Sequence, residues 1–527
     1  RTDNHIEDLA MTEIGAQAHC QIHGGAGRGA RAAVPKLTPM VKSGLYDPAF
    51  ERDACGVGLV ANIDGHKNHA IVDHGLEVLI NLDHRGACGC DPETGDGVGL
   101  LIQIPHEFLT LAACEAGFDL PDEGRYGVAM TFFPWDSADR DRCRAAFEQA
   151  VASEGLTFLG WRAVPIRSMA VGELARQMMP AIEQGFVAAP DGMSQDTLEH
   201  KLYVTRKEVE RLVYELGDAI ADESQSAFYI CSMSSQTLVY KGLIMAEQLL
   251  DFYTDLSDSS MVSAFALVHS RFSTNTLGEW KLAHPYRYLA HNGEINTVRG
   301  NRNWMASRER SLTSEYYGDD VDKFAPVCEE GQSDTASLDS VFELLAMGGR
   351  DIQHVAAMMI PEAWYGHESM DQRLKEFYEF HGTMMEPWDG PALIAFTNGR
   401  QVGAVLDRNG LRPFRFTVTK DGLLVMASET GVLEIEPERI EYRDRIRPGR
   451  MFLLDLDQGR IIDNEELKDD LAQRQPYGEW LAENRLVLDE LPEVDASLIP
   501  AAEPVTLTQR QRVFHYTTED LNIVMEP

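Results

Sequence analysis

Residues 53–64 read DACGVGLVANID, and the run decides the fold. Val57, Leu59, Ala61 and Ile63 alternate along it, which predicts one buried face of a strand from 55 to 63. Cys55 heads that strand, a place where a free cysteine ordinarily serves as a small hydrophobe. Gly56 and Gly58 follow it and predict room for something to approach the backbone closely. Downstream, GLEVLINLD (75–83) predicts a helix, then a glycine-rich loop, then a strand at VGLLIQI (98–104). Residues 126–165 read strand–helix–strand, with Asp136 or Ser137 as the helix cap. Further strands are expected at AFYIC (227–231), SAFALVHSRF (263–272) and YRYLAHN (286–292), and helices between 296 and 386. Hairpins follow: Asn398-Gly399 separates ALIAFT from QVGAVLD, Asp421-Gly422 separates FRFTVT from LLVMASE, and MFLLDLDQGRII makes a third. Hairpins require antiparallel sheets and the central helices must cover sheet faces, so the expected class is α+β, with layered antiparallel sheets sandwiched by helices.

The chain has 527 residues, more than a single core usually organises, so extra pieces beside one large domain are expected. A formal net charge of −37 argues against a nucleic-acid partner. No apolar run approaches the ~20 residues needed to span a bilayer. The eight cysteines form no disulfide framework, and Cys88–Cys90 matches no common zinc spacing. With no N-glycosylation sequon, this composition fits a reducing, cytoplasmic setting. Residues 1–54, with GGAGRGARAAVP at 24–35, have little periodicity and read as a leader. Their glycine spacing is not that of a dinucleotide fingerprint, and the segment is no convincing signal or transit peptide. The domain is expected to run from 55 to about 475, with 476–527 a linker and the start of another domain at HYTTEDL (515–521).

Walker A, HExxH and GxSxG are all absent, and CDPETGDG (90–97) has Pro92 and Gly95 where a calcium loop needs ligands. Polar clusters remain at HRG (84–86), HSRFSTNT (269–276), HNGEIN (291–296) and GQSDT (331–335), read as strand ends. Each has a plain alternative: Arg85 as half of an ion pair, Asn292-Gly293 as an ordinary turn, Asp334 as a helix N-cap. Together they suit acyl transfer from an amino-acid amide. The Cys55 thiolate would attack the amide carbon. Asn292 and the Gly293 N–H would hold the oxyanion. Arg271 would clamp a carboxylate with its planar fork, and Asp334 would accept from an ammonium. No histidine is an obvious base for Cys55.

CGVGLVANI, DHRGACGCDPETGDGVG, HSRFSTNT, HNGEINT, GQSDTASLD and LDRNGLRP resemble the class II, N-terminal-nucleophile glutamine amidotransferases, and within them the glutamate synthase group. DPETGDGVG, VYKG (239–242) and the long insertion between 100 and 250 resemble that group in particular. The resemblance implies an Ntn-hydrolase-like αββα fold and removal of the leader. Cys55 would then supply both nucleophile and base, its own α-amine with a reference pKa of ~7.7–8.0 against ~8.5 for a thiol. It also implies that Arg85 orients the new N-terminus and that Ser273, Thr274 and Gly331 line the glutamine pocket. Cys90, where a small residue such as Ala is expected, is the one departure. Implied beyond the segment are a central and an FMN-binding synthase domain, an iron–sulfur cluster and a small electron-donating subunit; within it, no cofactor. Two other readings stay open: another class II member, and an unprocessed module that binds glutamine or a subunit without turnover.

Overall fold

The computed structural model describes residues 56–86, 91–271, 278–492, 494–498 and 505–525. Sixteen strands among them form three antiparallel sheets. The first runs in the order Ile440–Arg445, Arg415–Thr419, Leu423–Ala427, Gly56–Asn62, Phe265–Ser270, Val98–Gln103, Thr237–Gly242. The alternating run after Cys55 is therefore the central strand of a seven-stranded sheet. The second sheet has the order Arg460–Ile462, Met451–Asp455, Gln401–Leu406, Ala392–Thr397, Leu289–Gly293. The third, made of Thr157–Ala163, Ala181–Ala188, Tyr126–Phe133 and Tyr229–Ser234, belongs to the insertion.

Side-chain alternation builds the layers. In the five-stranded sheet Ala290, Leu393, Ala395 and Ala404 pack into one core with Val57, Leu59, Leu101 and Leu267 of the seven-stranded sheet. The alternate residues Leu289, Ile394, Phe396 and Leu453 face the other way, against Val341, Phe342, Val355, Phe377 and Leu471. Those come from the helices Asp334–Met347, Ile352–Met359, Gln372–Met384 and Asn464–Gln473. On the far side of the seven-stranded sheet lies the helix His69–Asn81, which completes the αββα order.

That helix answers what approaches the glycines. A Cβ on Gly58 would stand 2.4 Å from Val78 Cγ1, and one on Gly56 would stand 2.9 Å from Leu82 Cβ. The room that the two glycines leave is filled by packing. The helix also begins earlier than predicted, at His69, with Asn68 capping the Ile71 amide at 3.0 Å. Gly75, taken as its start, lies mid-helix, where a Cβ would come within 2.6 Å of Ala266 Cβ. Close helix–sheet contact thus hid half the helix from its apolar period. Asp136, not Ser137, caps the helix Ser137–Ser153.

The insertion's sheet packs Phe133 and Ile230 against Phe147 and Leu202 of the helices Ser137–Ser153 and Gln195–Glu215. A buried ionic chain joins this unit to the rest. Arg206 reaches Glu343 (2.5 Å) and Glu210 (2.5 Å), and Arg287 reaches Glu210 (3.2 Å) and Asp339 (3.8 Å). Beyond 485 large apolar side chains such as Leu486, Leu488, Phe514 and Val524 are exposed.

Candidate active site

Three chain segments converge at one end of the two inner sheets. Gly56, bonded in the chain to Cys55, pairs with Ser270, and Arg271 follows Ser270. His269, one residue back, donates from Nε2 to the His291 carbonyl across the sheet interface at 2.9 Å. Asn292 and Gly293 come next on that second strand, so the head of the central strand, Arg271 and the Asn-Gly pair share one neighbourhood. Burial drives the His269 pKa down to about 3 and lowers that of His291, so both rings are neutral struts.

Asn292-Gly293 is a strand end, not a free turn. Gly293 has φ +131°, and a Cβ there would fall 1.7 Å from the Pro391 carbonyl oxygen, so only glycine fits. Asn292 is buried. Ile295, two residues past Gly293, donates its N–H to Asp334 Oδ2 at 2.9 Å. Asp334 Oδ1 accepts from the Thr335 amide (2.7 Å) and hydroxyl (3.2 Å), and Thr335 Oγ1 meets His291 Nδ1 at 2.9 Å. Asp334 is the first residue of its helix, not the N-cap. Ser333 is the cap, accepting from the Ala336 amide, which leaves the Asp334 side chain to face the strand. Arg302 braces the preceding turn through the carbonyls of Gln332 and Ser333 and the hydroxyl of Ser337. Gly331 is exposed on that turn.

Arg271 is buried, donating its backbone N–H to Gly97 O at 2.9 Å and its guanidinium to Asp96 O at 3.4 Å. A cavity of about 70 Å³ opens beside it, lined by Asp83, Gly86, Asp96, Gly97 and Ser270. A cleft of about 690 Å³ on the insertion, lined by Trp135, Met178 and Trp280, contains none of the predicted residues. Lys241, from VYKG, is wholly buried and donates to Lys281 O at 2.9 Å, and burial lowers its pKa to about 8.

Arg85 lies in the short 3-10 turn Asp83–Arg85 rather than at a strand end. Its Cβ lies 3.2 Å from where a Gly56 Cβ would be, which sets it beside the head of the central strand. Its guanidinium meets Glu429 through Nε (3.0 Å) and Nη2 (2.7 Å), and His84 takes the other carboxylate oxygen at 2.6 Å. Burial alone would raise Glu429, but the hydrogen bonds from His84 and Arg85 outweigh it and hold its pKa below 4.5. Glu429 escaped sequence reading because it is an unmarked residue 344 positions from its partner. Thr335 and Asp339 also went unassigned, although both stand inside GQSDTASLD.

Cys55, Ser273, Thr274, Cys88 and Cys90 lie outside the described residues. The described cysteines, Cys114, Cys143, Cys231 and Cys328, are free and scattered. Among the described residues no His/Cys/Asp/Glu cluster could hold a metal. No helix among them is long and apolar enough to cross a membrane.

The sequence profile of the class-II glutamine amidotransferases matches residues 55–480. The chain belongs to that family. It is 46% identical over 485 residues to the glutamate synthase [NADPH] large chain of Bacillus subtilis, covering 92% of this chain and 31% of that one. It is 40% identical to the ferredoxin-dependent glutamate synthase 2 of Synechocystis, covering 90% and 30%. To the glutamate synthase [NADH] of Schizosaccharomyces pombe it is 41% identical, covering 92% and 23%. The chain thus spans less than a third of the length of these relatives. Among solved amidotransferases, the glutamine phosphoribosylpyrophosphate enzyme of B. subtilis is 18% identical, with a TM-score of 0.27 over 43% of this chain and 40% of that one.

Proposed function

We propose that residues 55–475 are the glutaminase domain of a glutamate synthase, hydrolysing glutamine to glutamate and ammonia with Cys55 as nucleophile. The observation that carries this is the convergence of Gly56, Arg271 and Asn292-Gly293 at one end of the inner sheets, bridged by His269 and His291. Once the leader is removed, the Cys55 α-amine takes the thiol proton, a nearly balanced transfer within one residue. The thiolate adds to the glutamine side-chain carbonyl, and Asn292 with the Gly293 N–H stabilises the oxyanion. Collapse expels ammonia, which carries the proton from the amine, and water then releases glutamate from the thioester.

Arg271 binds the glutamine carboxylate and Asp334 its ammonium; three hydrogen bonds already align the Asp334 carboxylate. Arg85, held by Glu429, orients the new N-terminus. Ser273, Thr274 and Gly331 would line the pocket. The ammonia would pass to synthase domains of the longer chain that turn 2-oxoglutarate into glutamate. There FMN and an iron–sulfur cluster supply the electrons, received from a small subunit or another donor.

The test is the full-length enzyme treated with a thiol-directed glutamine analogue, followed by peptide mapping. Label on Cys55, with glutamine hydrolysed in preference to asparagine, is the expected result. Label on Cys88 or Cys90 alone, or equal turnover of asparagine, would overturn the assignment.

A further inference from the structure

The helix Asp334–Met347 grips the strand Leu289–Gly293 at three points. Just past the strand's end Asp334 Oδ2 accepts from the Ile295 amide (2.9 Å), and midway Thr335 Oγ1 meets His291 (2.9 Å). At the start, Asp339 accepts three amides: Arg287 at 3.2 Å, Tyr288 at 2.9 Å and Leu289 at 3.2 Å. Asp339 touches none of the residues assigned to the chemistry. Yet it is wholly buried, an expensive place for a carboxylate, with Arg287 Nη1 at 3.8 Å as its counter-charge.

The strand it holds is the last of its sheet, paired on one edge only, with Ala392–Thr397. An edge strand takes its position from whatever holds its other side. Here that is the helix, through the amides that Asp339 gathers, together with His269, whose Nε2 donates to the His291 carbonyl. Asn292 stands three residues beyond Leu289, about 10 Å along a stiff extended chain, so a shift at the start is carried to the Asn-Gly pair. Burial and neighbouring Glu343 push the Asp339 pKa up to about 6, and Arg287 with the amides pulls the other way.

We propose that Asp339 is a positioning residue for glutamine hydrolysis, fixing the depth of the strand that presents Asn292 and Gly293 to the reacting carbonyl. The role rests on the glutaminase reading. It differs from plain structural support because an oxyanion hole is sensitive to displacement: a misplacement of about 1 Å can cost about 100-fold.

The decisive experiment is Asp339→Asn in the full-length, processed enzyme. Asparagine keeps the shape but turns one acceptor into a donor facing backbone donors. We expect kcat for glutamine hydrolysis to fall about 10- to 100-fold while KM moves less than about twofold. Alkylation of the nucleophile by iodoacetamide, a displacement that forms no oxyanion, should proceed at the parent rate. Asp339→Ser, which leaves one acceptor on a shorter arm, should give the same split at about three- to tenfold, and decides the matter if Asp339→Asn does not fold. An unchanged kcat, or kcat, KM and alkylation all worsening together, would overturn the role. A parent enzyme that leaves glutamine intact would instead overturn the functional reading, and this role with it.

Discussion

At the head of the strand Gly56–Asn62 the charges are within reach of water. The side chains of His84, Arg85 and Glu429 are 55%, 29% and 25% exposed. At the strand Leu289–Gly293 the supporting carboxylate of Asp339 is completely enclosed, and His291, Asn292 and Thr335 are buried with it. The contrast follows the work proposed for each end. In the proposed reaction a leader would have to leave the first, and an amine freed there would have to exchange a proton, so adjustable and hydrated charges suit it. The second must meet a charge that exists only fleetingly, and dipoles fixed in a dry interior do that without reorganising.

The largest break in this comparison comes from the first end. Cys55→Ala should lower glutaminase activity by on the order of 10⁵-fold or more, the scale of losing a nucleophile that acts with its base. N-terminal sequencing of active enzyme should find Cys55 first; an active chain with leader still attached would remove the amine from the mechanism. Next in size, Asn292→Ala should reduce kcat by roughly 10²–10³ with little change in KM. Asp334→Ala should chiefly raise KM for glutamine. An Asn292 variant with full kcat and a raised KM would exchange the roles of the two residues.

Glu429→Gln sharpens the contrast at about tenfold or less in kcat/KM, because it loosens Arg85 at a site that water already screens. Its folded pKa is lowered, so its stabilising contribution is present above 4.5 and is lost as pH falls through the lower folded value. Thermal unfolding of parent and variant should therefore differ at neutral pH and converge in strong acid. The smallest effect on activity is expected from Gly58→Ala. The added Cβ presses on Val78, costing about 1–3 kcal/mol of stability while leaving turnover per folded molecule alone. A loss of activity without a loss of stability would mean that the glycine face serves substrate after all.

Turn chemistry is local, which is why the hairpins at Asn398-Gly399 and Asp421-Gly422 were legible in the sequence. Their destinations were not. The strands Ala392–Thr397 and Gln401–Leu406 enter the five-stranded sheet, whereas Arg415–Thr419 and Leu423–Ala427 enter the seven-stranded one. That choice depends on which buried faces meet, not on any nearby residue. The site divides the same way. Arg85, Arg271, Asn292, Gly293 and Asp334 stand in short motifs and could be proposed as site residues from the sequence. Glu429 stands in none, and Asp339 gave no sign of its role before it was seen holding the amides of 287–289. The glycines after Cys55 misled because an absent side chain reads alike whether a ligand or a helix fills the space.

The ionic chain Glu343–Arg206–Glu210–Arg287 has a consequence for anyone trimming this chain to a minimal glutaminase. Excising the insertion would take Arg206 and Glu210 with it, leaving Glu343 without the cation at 2.5 Å and Arg287 without its nearer carboxylate. A buried charge orphaned in this way costs roughly 3–5 kcal/mol, a large fraction of what holds a domain together. A working miniature would need Glu343 neutralised in the same edit. Arg287 would have to keep its charge, because Asp339 relies on it.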